Sequence, residues 1–244
     1  MNRKIIIITG ASRGIGKALT LQFLKKGHIV IGISRTKPDI DDIHWIEADI
    51  TSSSDRKKIK DEVLNNFKRI DVLINNAGIG MYNLWENTEI KDLRHIFEVN
   101  FFSLVELTQL IIPELKKTQG TIINTSSVAG RFHVACMGAY CATKYALNAF
   151  SDSLRVELKP FNIHVLNLLP GRINTGFSKY ALGDKKPPSS PGAKNAEVFA
   201  KQVYKAYIHK KRELIFPVFY KIFMLFIKIF PNIYDYFNIK KWKL

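Results

Sequence analysis

The chain has 244 residues, 46% of them hydrophobic, which suffices for one domain with a full core. Its 37 basic and 21 acidic residues give a net charge of +16, which favours an anionic membrane, nucleic acid or an acidic substrate as partner. Two cysteines and six histidines match no metal-ligand spacing, so we expect no metal site and free thiols in a reducing compartment. The first apolar strand begins within a few residues of Met1, so we expect no signal peptide and a cytoplasmic location.

Short apolar strands alternate with amphipathic helices along the whole chain. Strands are predicted near residues 4–9, 29–34, 44–48, 71–75, 120–126, 163–169 and 213–216. Helices are predicted near residues 15–26, 55–67, 89–117, 138–158 and 195–210. This alternation predicts an α/β fold in a single domain, with a doubly wound, Rossmann-like parallel sheet covered by helices on both faces. Ligands of such sheets bind beyond the carboxyl ends of the strands.

The first strand leads into a glycine-rich turn and then a helix. Gly10, Gly14 and Gly16 have the spacing G-x-x-x-G-x-G. Glycines at such a junction let backbone N–H groups approach a phosphate at the helix N-terminus, where the helix dipole favours negative charge. The turn therefore predicts a dinucleotide-binding site.

The end of the second strand bears on which dinucleotide is bound. A site for NAD usually has an acidic residue here, which binds the ribose 2′-hydroxyl. The chain instead has Ser34 and Arg35, and Arg13 lies in the glycine turn. Two guanidinium groups suit a 2′-phosphate, because they make charge-assisted, bidentate hydrogen bonds. Both arginines could be ordinary surface residues, but their presence and the missing carboxylate agree on NADP(H).

A tyrosine and a lysine one helical turn apart indicate acid chemistry. Residues i and i+4 share a helix face, so the Lys144 ammonium can favour ionisation of Tyr140, whose unperturbed pKa is about 10. Ser127 lies thirteen residues before Tyr140, at a predicted strand end. Its hydroxyl could bind the substrate oxygen that Tyr140 protonates. The Tyr–Lys pair alone occurs by chance in helices, and it becomes specific only beside a predicted hydride donor.

These motifs occur in the order and spacing of the short-chain dehydrogenase/reductases, which the chain resembles over roughly residues 3–216. The resemblance rests on residues 9–16, 75–78 and 170–171 and on the four residues Asn100, Ser127, Tyr140 and Lys144. It implies a nicotinamide cofactor and interconversion of an alcohol and a carbonyl group. In the implied mechanism Tyr140 protonates the oxygen, Ser127 binds it, and Lys144 lowers the tyrosine pKa and binds the nicotinamide ribose. Asn100 would position a water of the proton relay.

Two of these assignments have alternatives. Asn100 could instead be a cap or helix-kink residue, since asparagine bonds readily to nearby backbone. Ser126 competes with Ser127, which has the family's spacing. Together the motifs and the resemblance assign cofactor binding to Gly10, Ser12, Arg13, Gly14, Ile15, Gly16, Ser34, Arg35, Asp49, Ile50, Asn76, Ala77, Gly78, Tyr140, Lys144, Pro170, Gly171, Ile173 and Thr175.

The end of the chain is basic and apolar, and we separate a domain of residues 1–216 from a tail of residues 217–244. The run 218–230 is apolar except at Lys221 and Lys228. Thirteen residues are too few to cross a bilayer, which takes about 20. A wide apolar face flanked by lysines and aromatics predicts an interfacial helix on an anionic membrane. The alternative is a helix packed on the protein's own core or in an oligomer interface. Nucleic acid is not expected, because the basic residues alternate with buried-type aliphatics.

The segment 171–192 is expected to form a mobile flap over a lipophilic substrate. Its apolar pocket is predicted to be lined by Met81, Tyr82, Trp85, Phe177, Tyr180 and Leu182. The resemblance also implies a homodimer or homotetramer. The sequence therefore predicts an NADPH-dependent carbonyl reductase, peripheral to a membrane. The alternatives are a soluble 3-oxoacyl-thioester reductase and a non-catalytic, NADPH-binding membrane adaptor.

Overall fold

A computed structural model describes residues 3–187 and 192–244. Nine strands lie in it: β1 Ile5–Thr9, β2 Ile29–Ser34, β3 His44–Glu47, β4 Val72–Asn75, β5 Thr121–Thr125, β6 His164–Pro170, β7 Ile173–Asn174, β8 Lys194–Asn195 and β9 Glu213–Phe216. Seven form one sheet in the order β3-β2-β1-β4-β5-β6-β9. All of its pairs are parallel. The two short strands β7 and β8, which the sequence did not predict, pair with each other.

Eight α-helices accompany these strands in the described residues. They are α1 Gly14–Leu24, α2 Ser53–Phe67, α3 Ile90–Phe97, α4 Ser103–Thr118, α5 Gly138–Leu158, α6 Ala196–Ile208, α7 Tyr220–Ile229 and α8 Pro231–Trp242.

The isoleucine run of β1 shows why the sheet is covered on both faces. Successive strand residues point to opposite faces. Ile5 and Ile7 pack into a core with α2, α4 and α5, whereas Ile6 and Ile8 pack into a second core with α1 and α6. The predicted doubly wound α/β fold is confirmed.

The helix predicted at 89–117 is interrupted. A π-helical turn at Glu98–Phe102 separates α3 from α4, and it contains Asn100. By length and composition alone the run Ile90–Thr118 would pass as a membrane-crossing helix. Its residues Leu107, Ile111 and Leu115 are nevertheless completely buried in the core.

The tail folds back onto the domain as two helices rather than one. Pro231 begins α8 directly after the end of α7. Ile227 and Tyr234 are buried in a cluster with residues that follow β5 and lie on β6. The Tyr234 hydroxyl donates to the His133 carbonyl at 2.7 Å, and the His133 ring lies 2.7 Å from the Asp235 carboxylate. His133 therefore helps to hold α8 against the loop after β5.

Candidate active site

A single cleft of about 870 Å³ runs along the carboxyl ends of the sheet strands. The glycine turn after β1 and the ends of β2 and β3 form one part of it. The ends of β5 and β6, the start of α5 and the tail helices form the other. The strand order therefore places the predicted dinucleotide site and the Ser–Tyr–Lys residues in one cavity.

The glycine turn is shaped as a phosphate cradle. Gly10 and Gly14 have φ values of +68° and +56°, a region that disfavours side chains. A Cβ on Gly16 would collide with the Gly10 carbonyl oxygen, so this glycine allows close packing of α1 on the turn. No side chain caps α1 and no acidic residue lies in its first turn. A helix N-terminus of this kind suits an anionic group.

The loop after β4 is held against this turn by Thr9. The Thr9 hydroxyl accepts from the backbone N–H groups of Asn76, at 2.9 Å, and Ala77, at 3.0 Å. The Asn76 side-chain amide donates back to the Thr9 carbonyl at 3.0 Å. Asn76 and Ala77 line the cleft, and so does the following Gly78.

Ser127, Tyr140 and Lys144 meet on one wall of the cleft. Ser127 follows β5, and its Oγ accepts from the Ala129 N–H at 3.1 Å and donates to the Pro170 carbonyl at 3.4 Å. The Ser127 hydroxyl also lies close enough to Tyr140 to act on its pKa. The Lys144 Nζ lies 5.7 Å from the centre of the Tyr140 ring and donates to the Thr125 carbonyl at 2.9 Å. One oxygen atom in the cleft can therefore reach both hydroxyl groups.

The electrostatics of this wall differ from the sequence expectation. Tyr140 and Lys144 are only 8% and 4% exposed. Burial raises the Tyr140 pKa above its usual value, and the nearby Ser127 hydroxyl lowers it only partly. Burial also lowers the Lys144 pKa, to about 8. Desolvation of the phenolate outweighs the contributions that favour ionisation, so the net Tyr140 pKa is raised where the sequence predicted a lowered one.

Ser126 and Asn100 both use their side chains in hydrogen bonds to backbone groups. The Ser126 hydroxyl donates to the Lys144 carbonyl at 3.2 Å, which leaves Ser127 as the serine beside Tyr140. Asn100 is completely buried and does not line the cleft. Its Oδ1 accepts from the Ile79 N–H at 2.8 Å and its Nδ2 donates to the Ile79 carbonyl at 2.9 Å. In this geometry Asn100 holds the loop after β4 in place from within the π-helical turn between α3 and α4.

The two arginines predicted near the adenosine end both line the cleft, but each has a partner. An Arg35 guanidinium nitrogen lies 3.7 Å from the Asp49 carboxylate in an exposed pair. The Arg13 guanidinium stacks 3.7 Å from the centre of the Tyr180 ring. Asp49 also accepts from the Thr51 backbone N–H at 2.9 Å. Both arginines therefore line the cleft, Arg35 beside Asp49 and Arg13 beside Tyr180.

Of the residues predicted to bind cofactor or substrate oxygen, only Gly16 and Asn100 do not line the cleft. The predicted substrate pocket was less accurate. Tyr82 and Phe177 line the cleft, but Met81, Trp85, Tyr180 and Leu182 do not. Trp85 is 60% exposed, and its indole packs against Gly138.

Side chains of α7 and α8 line the cleft instead, and the sequence analysis did not predict them as pocket residues. The Tyr220 ring packs directly on Gly171, where a Cβ would collide with it. The cleft residues from the tail are Tyr220, Phe223, Phe226, Tyr234, Phe237, Asn238 and Lys241. Their spacing of three and four residues was the available signal, since it places them on one face of each helix.

The segment after β6 covers the cleft and is tied to the loop after β4. Leu182 donates from its N–H to the Gly80 carbonyl at 2.9 Å and accepts from the Tyr82 N–H at 2.8 Å. Residues 188–191 of the predicted flap lie outside the described residues. In the described part of the chain, no group of three or more His, Cys, Asp or Glu is arranged to hold a metal ion. Cys136 and Cys141 are free and buried.

Sequence comparisons agree on one family. Residues 4–186 match the model of the short chain dehydrogenases. A short-chain type dehydrogenase/reductase of Helicobacter pylori is 39% identical over 181 residues, covering 72% of this chain and 67% of that protein. A 3-ketodihydrosphingosine reductase of Bacteroides thetaiotaomicron is 36% identical over 181 residues, covering 73% and 67%. An 11-beta-hydroxysteroid dehydrogenase-like protein 2 of Arabidopsis thaliana is 30% identical over 246 residues, covering 96% and 80%.

Solved structures show the same fold. A short-chain dehydrogenase from Streptomyces avermitilis superposes with a TM-score of 0.84 at 26% identity, covering 96% of this chain and 98% of the other. A short chain dehydrogenase from Burkholderia cenocepacia, in complex with NADP, has a TM-score of 0.82 at 25% identity and covers 93% of each chain. The chain therefore belongs to the short-chain dehydrogenase family and is an oxidoreductase of the alcohol and carbonyl pair.

Proposed function

We propose that this protein is an NADPH-dependent reductase of a lipophilic ketone or aldehyde, with Ser127, Tyr140 and Lys144 as its catalytic residues. The observation that carries the proposal is the meeting of these three side chains in the same cleft as the glycine turn. Residues 1–216 would supply this chemistry, and the tail 217–244 would select the substrate and contact the membrane.

Each residue has a task that follows from its environment. The raised pKa keeps the Tyr140 hydroxyl protonated at neutral pH, as an acid requires. Ser127 is oriented by Ala129 and Pro170, so its hydroxyl can bind the substrate oxygen where negative charge develops. Lys144, with a pKa of about 8, is mostly charged at pH 7 and stabilises negative charge left on Tyr140. The nicotinamide, when bound, supplies a hydride to the carbonyl carbon, and the Tyr140 proton goes to its oxygen.

The site suits NADP(H) for two reasons. No acidic residue lies at the end of β2, and Arg13 and Arg35 both line that part of the cleft. The similar Burkholderia cenocepacia protein, crystallised with NADP, supports this choice. We expect Arg35→Gln to lower the preference for NADPH over NADH in kcat/KM by about 10- to 100-fold, the worth of charge-assisted bonds. Arg94→Gln removes an exposed arginine outside the cleft and should leave the ratio unchanged. An unaltered ratio in Arg35→Gln would remove this residue from cofactor selection.

A lipophilic substrate is supported by the aromatic lining and by the outer face of α7. Ile222, Leu225 and Ile229 are 75%, 57% and 56% exposed and lie at three- to four-residue spacing. Lys221 and Lys228 are also exposed on this helix. Exposed apolar side chains with neighbouring lysines suit an anionic membrane surface, from which an apolar substrate reaches the cleft. The proposed location is therefore a membrane surface, with the protein bound peripherally.

Vesicle flotation tests this contact. Ile222→Glu should abolish binding to phosphatidylcholine vesicles that contain phosphatidylglycerol, because it places a charge in the apolar face. Val198→Glu is the matched control, since Val198 is also exposed but lies on α6. Binding that survives in Ile222→Glu, or that is lost equally in Val198→Glu, would contradict an interfacial α7.

The chemistry itself is tested with NADPH and ketones or aldehydes graded by chain length, with a 3-oxoacyl thioester included. Tyr140→Phe removes the acid and should lower kcat about 100- to 10,000-fold while NADPH affinity persists. Tyr145→Phe removes an exposed hydroxyl from the same helix and should have no effect. Unchanged turnover in Tyr140→Phe would refute the assigned acid. NADPH binding with no turnover of any carbonyl would favour the adaptor alternative.

A further inference from the structure

Helix α8 directs one stripe of side chains at the cleft. Tyr234, Phe237, Asn238 and Lys241 recur at intervals of three and four residues, and all four line the cleft. Tyr234 uses its hydroxyl to bind the His133 carbonyl. Asn238 and Lys241 have no part in the proposed proton and hydride chemistry. Both side chains line the cleft and can therefore contact a ligand there.

Asn238 brings a hydrogen-bond donor with no partner. Its side chain is 7% exposed, and its Oδ1 accepts from the Ala135 N–H at 3.4 Å. Its Nδ2 lies near the Tyr234 hydroxyl and lowers the pKa of that group, but it meets the geometry of a hydrogen bond with no group among the described residues. A buried donor left in this way costs about 1–3 kcal/mol, so an acceptor on a ligand would be favoured here.

Two cations share this part of the cleft. Lys241 lies on α8 and is exposed, Arg172 directly follows Gly171, and both line the cleft. Partial burial lowers the Lys241 pKa, and the Arg172 charge lowers it further. The Arg172 charge also acts on the Tyr220 hydroxyl of the cleft wall.

The described residues that line the cleft carry little negative charge. Among the described cleft residues Asp49 is the only carboxylate, and it lies at the end of β3. Arg172 follows β6, which is five strand positions from β3 in the sheet order. At about 4.8 Å a strand that is about 24 Å, well beyond the screening length of physiological salt.

We propose that the substrate carries an anionic group, a carboxylate or a phosphate, away from the carbonyl that reacts at Tyr140. Lys241 and Arg172 bind this group, and Asn238 donates to a polar atom next to it. The aromatic residues of α7 and α8 enclose the apolar part of the molecule in between. This inference rests on the proposed function and adds the charge class of the substrate. It also predicts that substrates with an ammonium group at this end are disfavoured.

Binding of molecules without a reactive carbonyl tests the anion site separately from turnover. Isothermal titration of NADP+-saturated protein is carried out with decyl phosphate, decanol, decylammonium and inorganic phosphate, below the concentrations at which the amphiphiles aggregate. Decyl phosphate should bind about tenfold more tightly than decanol, a modest factor because Lys241 is exposed to screening solvent. Decylammonium should bind more weakly than decanol. Inorganic phosphate alone should bind far more weakly than decyl phosphate, because it lacks the apolar chain.

Lys241→Gln should reduce the preference for decyl phosphate to about threefold or less and leave decanol affinity unchanged, which also reports intact folding. Lys240→Gln removes the neighbouring exposed lysine, which does not line the cleft, and should keep the full preference. Equal affinities for decyl phosphate and decanol would overturn the proposal, as would a preference that survives in Lys241→Gln. Inorganic phosphate that binds as tightly as decyl phosphate would indicate a general anion site and overturn it too.

Turnover separates the two proposals. A ketone with a terminal carboxylate should exceed its methyl ester about tenfold in kcat/KM. Equal turnover of the carboxylate and the ester would refute the proposed anionic group but leave the proposed reductase activity intact. Anion-selective binding without turnover of any carbonyl would remove the reductase, and with it the claim that the bound anion belongs to a substrate.

Discussion

Replacement of Lys144 by methionine tests the electrostatics of the catalytic wall without any substrate. The Lys144 side chain is 4% exposed and donates to the Thr125 carbonyl at 2.9 Å. Burial lowers its pKa from 10.5 to about 8. The unfolded chain therefore binds this proton more tightly than the folded protein does. The buried charge lowers the free energy of unfolding at neutral pH.

The size of the effect follows from the difference between these two pKa values. At about 1.36 kcal/mol per unit, Lys144 destabilises the folded protein by about 3 kcal/mol at pH 7. The penalty is fully present below the folded pKa and disappears as pH rises towards the unfolded pKa, so less than about 1 kcal/mol remains at pH 10. Lys144→Met removes the charge but leaves the Thr125 carbonyl without its partner, at a cost of about 1 kcal/mol. The variant should thus be about 2 kcal/mol more stable than the wild type at pH 7, and this advantage should vanish by pH 10.

The assay is urea unfolding of the cofactor-free protein at both pH values, followed by tryptophan fluorescence. Lys159→Met is the matched control, because this exposed lysine lies directly after α5. Its effect on the free energy of unfolding should be small and the same at both pH values. A Lys144→Met variant that is less stable than the wild type at pH 7, or whose difference does not change with pH, would refute the reasoning from burial.

Three other changes probe the frame of the site. Gly16→Ala places a methyl group against the Gly10 carbonyl, so we expect a stability loss above about 2 kcal/mol and at least tenfold weaker NADPH binding in calorimetry. Burial opposes the charge on Asp71, but hydrogen bonds from Arg69, the Ile5 N–H and Lys4 lower its pKa overall. The Asp71 carboxylate therefore stabilises the fold at pH values above its pKa in the unfolded chain, and this stabilisation is lost as pH falls through its pKa in the folded protein. Asp71→Asn should therefore cost about 3 kcal/mol at pH 7, and a difference that persists undiminished in acid would contradict this. Tyr234→Phe removes the bond that ties α8 to the loop after β5 and should cost about 1 kcal/mol in thermal unfolding, with proteolysis reporting release of the tail.

Much of the sheet, the glycine turn and the helix that carries Tyr140 was predictable, because these elements depend on local sequence pattern. The isoleucine run of β1 must be buried on both faces, and the glycines after it permit the positive φ angles that the turn uses. Tyr140 and Lys144 share a helix face because they are four residues apart. The strands of the main sheet accordingly lie within about two residues of their predicted positions, and the same holds for most helices.

The tertiary structure decided the features that depend on which distant segments meet. The sequence did not show that the tail folds back, because a helix with apolar residues around it suits a membrane and a protein core equally. Burial of Tyr140 sets the direction of its pKa shift, and that burial comes from segments far from α5 in the chain. Arg172 and Lys241 meet at one cleft across 69 positions of sequence only because α8 packs beside the end of β6. Local periodicity determines helices and strands, whereas desolvation and charge proximity are properties of the packed molecule.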